Sequence, residues 1–383
     1  MAPLREIAST DAGFAAGSFI YKVISTSPRQ DPLTYLITDQ LAFISSDDSL
    51  RFLTADLRPD GHVAKAHDNI TCLERANDAS SNAVATAGRD GLIRFWDKRS
   101  RQKALQVESP HKLISALVCD AEKNFIAAGI ENPEDGPNSS PVYIWDQRNL
   151  SAPLRSYIDS HTDTVTNLSL HPSHPTLLLS SSTDGLVNMF DSAQADEDDA
   201  LYQVINHGSA IAHAGFMYPS ADIYALGTDE TVSFYALQSQ KEEEEEPAPK
   251  ACGDVRQELD CEYVVDLCWV GPQPCVAAGK HRKKNSDKTL SLIPITKGTN
   301  GPLDYAFDLK NSTVLAGAHG EEIVRHLFID MHTHTTYTCG EDGHIRAWKG
   351  TDDATMDVDE GATSAKKKRK EKKDKEKARF KPY

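Results

Sequence analysis

Val84-Ala85-Thr86-Ala87-Gly88-Arg89-Asp90-Gly91-Leu92-Ile93-Arg94-Phe95-Trp96-Asp97 is the stretch that decides the fold. Val84 to Ala87 is a short apolar run that tolerates the β conformation. Asp90-Gly91 accepts the positive φ that a tight hairpin turn needs, with Arg89 leading into it. Leu92 to Asp97 is then the returning strand. Upstream stands His67, and Thr86, Asp90 and Trp96 follow it by 19, 23 and 29 residues. The same offsets recur from His161 to Ser180, Asp184 and Phe190, and from His319 to Thr338, Asp342 and Trp348. Four positions held in register three times mean a repeated supersecondary unit.

Weaker copies of the hairpin fill the gaps. They run from Leu41 to Leu53, Pro141 to Asp146, Tyr224 to Tyr235 (turning at Asp229-Glu230), and Val276 to Ile293. The seven hairpins close at Leu53, Trp96, Trp145, Phe190, Tyr235, Ile293 and Trp348, with gaps of 43 to 58 residues. A four-stranded propeller blade takes about 40–45 residues, so the longer gaps imply loop insertions. No fourth strand follows Trp348. Ser18 to Ile24 reads as a strand that supplies the missing outer strand of the last blade, which removes an open edge.

From Phe19 to Lys349 the chain resembles the WD-repeat family. The resemblance implies an all-β, seven-bladed propeller in which His, Ser/Thr, Asp and Trp form a hydrogen-bonded chain inside a blade. His67, Thr86, Asp90 and Trp96 are then structural, as are His161, Ser180 and Asp184, and His319, Thr338, Asp342 and Trp348. A buried indole N–H and a buried carboxylate each need a partner. The usual Gly-His dipeptide is missing from all three sets. The expected boundaries are an N-terminal segment over residues 1–12, the propeller over 13–350, a disordered acidic insertion at 238–253, and a disordered tail over 351–383.

Charge is unevenly placed. The chain's formal net charge is −16. Ala365 to Tyr383 carries eleven Lys or Arg against three Asp or Glu, a net of +8, which leaves −24 on everything before it. An acidic body is a poor nucleic-acid surface. The run Lys366, Lys367, Lys368, Arg369, Lys370 has the density of a nuclear localisation signal. The expectation is a nuclear protein, extending to the nucleolus, with a cytoplasmic pool and with RNA contact open to the tail. Seven cysteines without a C-x-x-C pair, and no apolar run of 18 residues, point to a soluble intracellular chain with reduced thiols.

No catalytic constellation stands out. A Gly-rich phosphate loop, a nucleophile elbow and H-E-x-x-H are all missing. His326, His332 and His334 lie near one another in sequence and read as surface histidines. Asp196-Glu197-Asp198-Asp199 reads as a solvated turn. The expectation is a monomeric, non-enzymatic protein without cofactor or metal.

The remaining signal is one of binding. By the resemblance, partners meet the narrow face around the central channel. The positions that would line it are Asn69, Thr71 and Arg89 in blade two; Thr164, Thr166 and Thr183 in blade four; and Glu322, Val324 and Glu341 in blade seven. The set is mostly polar and lacks large aromatics. Trp-Asp-x-Arg occurs twice, ending in Arg99 and Arg148, and is similar to the motif of cullin-4 ligase substrate receptors. Three functions are compatible: an interaction scaffold, a cullin-4 receptor that binds the ligase adaptor, and a pre-ribosome or ribosomal-protein-binding factor whose acidic body would shield a basic client.

Overall fold

The computed structural model describes residues 3–14, 17–30, 35–76, 82–239, 246–281 and 288–350. Five antiparallel sheets of four strands follow one another in sequence, and a nine-stranded sheet contains two further four-stranded units. The inner strands of blades one to seven are Ile20–Ser25, Ile70–Arg75, Ile114–Asp120, Val165–Leu170, Ile211–Phe216, Tyr263–Val270 and Val324–Asp330. Each blade is a meander from the channel outward.

The core sits between blades, as seven separate apolar clusters. Ile93 and Phe95 of blade two meet Leu117, Ile126 and Trp145 of blade three. Ile20, Phe43 and Leu53 of blade one meet Tyr337 and Ile345 of blade seven, which closes the ring. Seven units and seven interfaces fit only a closed circle. Each fully buried aliphatic or aromatic side chain contributes roughly 1.5–3 kcal/mol, so no blade is stable without its neighbours.

A shared irregularity shapes the channel. In every blade the pairing of inner and second strands shifts by one residue near the inner strand's start, as between Ile20 and Lys22, Ile70 and Cys72, and Val324 and His326. The same shift recurs in the other four. A bulge repeated at one height increases strand twist. It also leaves one unpaired residue per blade near the narrow-face mouth: Tyr21, Thr71, Ser115, Thr166, Ala212, Val265 and Arg325.

Three expectations are corrected. Ser18 to Ile24 does not close the ring: Ile20–Ser25 is the inner strand of blade one, with Ile20, Val23 and Ile24 buried. The closing strand is Leu4–Thr10, antiparallel to Ile345–Gly350, with Leu4 also pairing in parallel to Leu315 of blade six. Residues 1–12 are therefore no separate segment. An outer strand has little to bury, so Leu4–Thr10 carries almost no apolar signal. Finally, the insertion at 238–253 is not wholly irregular, because Lys250–Asp254 forms the outer strand of blade five. Glu242 to Glu245 of its acidic run lie outside the described residues, as do Arg282 to Lys284 and all of 351–383, including Lys366, Lys367, Lys368, Arg369 and Lys370.

Candidate functional site

The polar sets come together as hydrogen-bonded chains. In blade two the Trp96 indole N–H donates to Thr86 Oγ1 at 2.8 Å. Thr86 Oγ1 lies 2.8 Å from His67 Nε2, and His67 Nδ1 lies 2.9 Å from Asp90 Oδ1. One tautomer satisfies every link: Thr86 donates to Nε2, and Nδ1–H donates to the carboxylate. Blade seven repeats this, with Trp348 Nε1 to Thr338 Oγ1 at 2.9 Å, Thr338 to His319 at 2.8 Å and His319 to Asp342 at 2.7 Å. In blade four His161 reaches Ser180 at 2.7 Å and Asp184 at 3.0 Å. Phe190 stands where the indole would be and stacks on Tyr157 of blade three, ring centres 4.5 Å apart.

Burial sets the titration of these chains. It pushes the His67 and His319 imidazoles below their usual value, so both are neutral in the fold. Burial alone would raise the Asp342 carboxyl. The hydrogen bond from His319 and the charge of Arg346 outweigh it and bring Asp342 down to about 2.

A fifth position escaped the sequence reading. Arg94, Asn188 and Arg346 each lie 27 residues after the histidine. Arg94 donates to the Ala66 carbonyl at 2.7 Å and Asn188 to the Ser160 carbonyl at 2.7 Å, in each case the residue before the histidine. Arg94 and Arg346 also pair with the turn aspartate at 2.9 and 2.6 Å. The constant offset was the available signal, hidden by the change from Arg to Asn. Blade five holds a shortened chain, with His207 2.9 Å from Thr231 Oγ1 and 3.1 Å from the Tyr235 hydroxyl. In blade three Trp145 is fully buried and its N–H has no partner among the described residues. Ala128 occupies the register position of Thr86 there.

The narrow-face residues divide into exposed and internally bonded. Arg89 is half-exposed and pairs with Glu131 at 2.8 Å. Asn69 is exposed, in the left-handed region at φ 59°. Thr71 is turned inward, donating to the Ile114 carbonyl of blade three at 2.7 Å. Ser115 does the same toward Val165 of blade four, so this hydroxyl joins blades. Thr164 accepts the Asn132 N–H at 3.1 Å and Thr166 pairs with Ser181 at 3.0 Å. The Thr183 hydroxyl is buried.

Blade seven was read one residue out of register. Ile323 and Arg325, not Glu322 and Val324, correspond to Asn69 and Thr71. The Glu341 N–H bonds to the Ile323 carbonyl just as Arg89 bonds to Asn69. Ile323 is apolar but lies before the strand, so taking the first apolar residue as the strand's start misplaces it by one. Arg325 is exposed and paired with Glu341.

The mouth is also less polar than expected. Phe19 and Tyr21 of blade one are each 40% exposed. A cavity of about 570 Å³ at the mouth is lined by Tyr21, Asn69, Arg89, His213 and Arg325. Blade one has no histidine set to mark its register, which is why its aromatics were overlooked.

On the opposite, wide face the two Trp-Asp-x-Arg sequences behave differently. Arg148 grips Asp146, with Nε to Oδ1 at 2.9 Å, and this hydrogen bond holds the carboxyl near 2. Arg99 is exposed, and only its backbone N–H is bonded to Asp97, at 3.0 Å. The acidic Asp196-Glu197-Asp198-Asp199 is a structural clip rather than a solvated turn. The Glu197 carboxylate accepts the Ile158 and Asp159 N–H groups of blade three at 2.6 and 3.1 Å. His332 bonds to the Tyr35 carbonyl at 2.8 Å. Among the described residues no three His, Cys, Asp or Glu side chains could hold a metal ion. All seven cysteines are free, and no described helix is long and apolar enough to cross a membrane.

Residues 59–97 and 151–191 match the family described as WD domain, G-beta repeat. An uncharacterized WD repeat-containing protein of Saccharomyces cerevisiae is 35% identical over 274 residues, covering 71% of this chain and 66% of the relative. Another, of Schizosaccharomyces pombe, is 30% identical over 296 residues, covering 75% of this chain and 85% of the relative. The chain belongs to the WD-repeat family. Within it, the WD repeat-containing protein 89 homolog of Dictyostelium discoideum is 29% identical over 161 residues, 41% of each chain. WD-repeat proteins serve as protein-interaction scaffolds on a fold that is generally non-catalytic.

Proposed function

We propose that this WD-repeat protein is a non-enzymatic scaffold that works in the nucleus and holds its partner at the narrow face. The observation that carries this reading is the open channel mouth, where Tyr21 lines one cavity with Arg89 and Arg325 and Phe19, two residues before it, is exposed. Aromatic and Arg side chains dominate binding hot spots. The two arginines are held by exposed ion pairs of small worth, so they are available to a partner. The basic run Lys366 to Lys370 supports import and leaves room for RNA contact.

A second reading, receptor of a cullin-4 ligase, is favoured by one feature: Arg99 stands exposed on the wide-face rim while Arg148 is engaged by Asp146. The adaptor would then need Arg99 alone. A third, ribosomal-protein binding, draws on the charge of −24 before the tail.

Affinity purification from nuclear extract with wild type and with Tyr21→Ala plus Arg89→Ala tests the first reading. Partners lost from the double variant at an unchanged melting temperature support the narrow-face site, and an identical partner set refutes it. Adaptor recovery abolished by Arg99→Lys favours the ligase, because an ammonium cannot replace a planar fork. Ribosomal proteins or pre-rRNA in the eluate favour the third. Removal of residues 365–383 is expected to shift the protein to the cytoplasm; continued nuclear concentration would remove the import role.

A further inference from the structure

The wide-face end of the channel is capped by residues 26–30 and 35–39, between the first two strands of blade one. Tyr35 lies under Arg75 of blade two, with the guanidinium carbon 3.6 Å from the ring centre. Asp330 of blade seven accepts the Thr38 N–H at 3.0 Å, and Arg29 approaches Asp120 of blade three at 3.5 Å. The cap is thus tied to three blades. Its outward side carries Leu36 and Ile37, which are 47% and 60% exposed. A cleft beside them is lined by Tyr35, Leu36, Trp269, Phe328 and Met331. Trp269 is the one tryptophan of four that is not buried.

We propose that this apolar patch is the docking site of the chain's own C-terminal residues, Arg379 to Tyr383. The third strand of blade seven ends at Gly350 on this same face. The turn that contributes Met331 belongs to the same blade, two strand spacings away, or about 10 Å. The 30 residues from Gly350 to Phe380 span up to about 100 Å when extended, so the reach is ample. Phe380 and Tyr383 are the only aromatic residues after Trp348, and the patch offers aromatic and aliphatic partners for both. Charge favours the same occupant: the last 19 residues carry +8 and the remainder −24. Glu122, beside the cap at Arg29, is 58% exposed. Docking holds Lys366 to Lys370 against the body, and release presents them. This inference is independent of the narrow-face reading.

The test uses the full chain with a photoreactive benzoylphenylalanine replacing Tyr383, irradiated at high dilution and mapped by mass spectrometry. The expected product is an intrachain cross-link to Tyr35, Leu36, Ile37 or Met331. Its yield should fall at least tenfold in Leu36→Asp with Ile37→Asp, both exposed and so neutral to folding. Cross-links elsewhere on the chain, or a yield indifferent to the double variant, would overturn the proposal. Cross-links joining two copies would overturn it by making a second copy the occupant. Acrylamide quenching of Trp269, isolated by difference against Trp269→Phe, gives a second reading. Phe380→Ala with Tyr383→Ala should raise it about twofold, and unchanged quenching would count against docking.

Discussion

Blade two and blade three bury a tryptophan at the same place on the same strand, and treat it in opposite ways. Trp96 hands its N–H to Thr86, which passes the connection through His67 to Asp90. Trp145 is buried more completely, among Tyr143, Ile126 and Phe95, yet its N–H bonds to nothing among the described residues. The contrast separates two jobs that the repeat usually combines. Packing between blades suffices to hold an indole. The polar chain adds register, because its four members must lie at fixed heights on three connected elements. Blade three does without it, and it is the blade with a long second-to-third strand loop.

The largest expected effect is on the chain itself. Thr338→Val removes the hydroxyl that serves both Trp348 and His319, leaving two buried polar groups unpaired. At about 1–3 kcal/mol for each, the loss should be about 2–6 kcal/mol in urea unfolding. Asp90→Ala should cost a similar amount by orphaning His67 and freeing Arg94. An unchanged midpoint for either would break the comparison. Asp97→Ala removes only the acceptor of two exposed turn N–H groups and should cost less.

Next comes pH. His67 and His319 are neutral in the fold, with their values lowered by burial, whereas the unfolded chain titrates them near 6.5. The unfolded state therefore binds more protons as pH drops below about 6.5, and stability should fall from pH 7 to 5. Asp342, held near 2, keeps its contribution until pH falls from about 4 toward 2. A melting temperature flat from pH 7 to 5 would contradict the neutral imidazoles.

Smaller effects are expected where no chain exists. Trp145→Phe should cost less than Trp96→Phe, since only the second loses a hydrogen bond; equal losses would mean packing decides both. Ala128→Thr offers Trp145 a partner and should gain about 1 kcal/mol if the extra atoms fit. Smallest of all, Arg148→Ala breaks an exposed pair and should stay within about 0.5 kcal/mol.

The same contrast explains what could be read from the sequence. Blades two, four and seven announce themselves because the polar chain fixes four residues at constant offsets. Blade five reads as a hairpin without a histidine set, because Ala225 stands where Thr86 does and His207 bonds instead to Thr231 on the third strand. Outer strands were illegible for a physical reason: Leu4–Thr10 and Lys250–Asp254 bury almost nothing, so no apolar period marks them. At the narrow face, taking the first apolar residue as the start of the inner strand holds in blades two and four and slips in blade seven, where Ile323 precedes the start at Val324. Phe19 and Tyr21 lay beyond any such rule.

Leu4–Thr10 completes blade seven from the far end of the chain, and this imposes an order in time. During synthesis these residues emerge before every blade, and their partner, Ile345–Gly350, emerges after the first six are complete. Six blades can stack in sequence as they appear, but the circle stays open until Val324–Gly350 is free. Throughout that interval Ile345's future neighbours and the faces of blades one and six are bare to solvent, and the first strand must avoid every other exposed edge. An extension before Leu4 would ride on the rim of the finished ring, whereas loss of those few residues would leave blade seven with a bare outer edge.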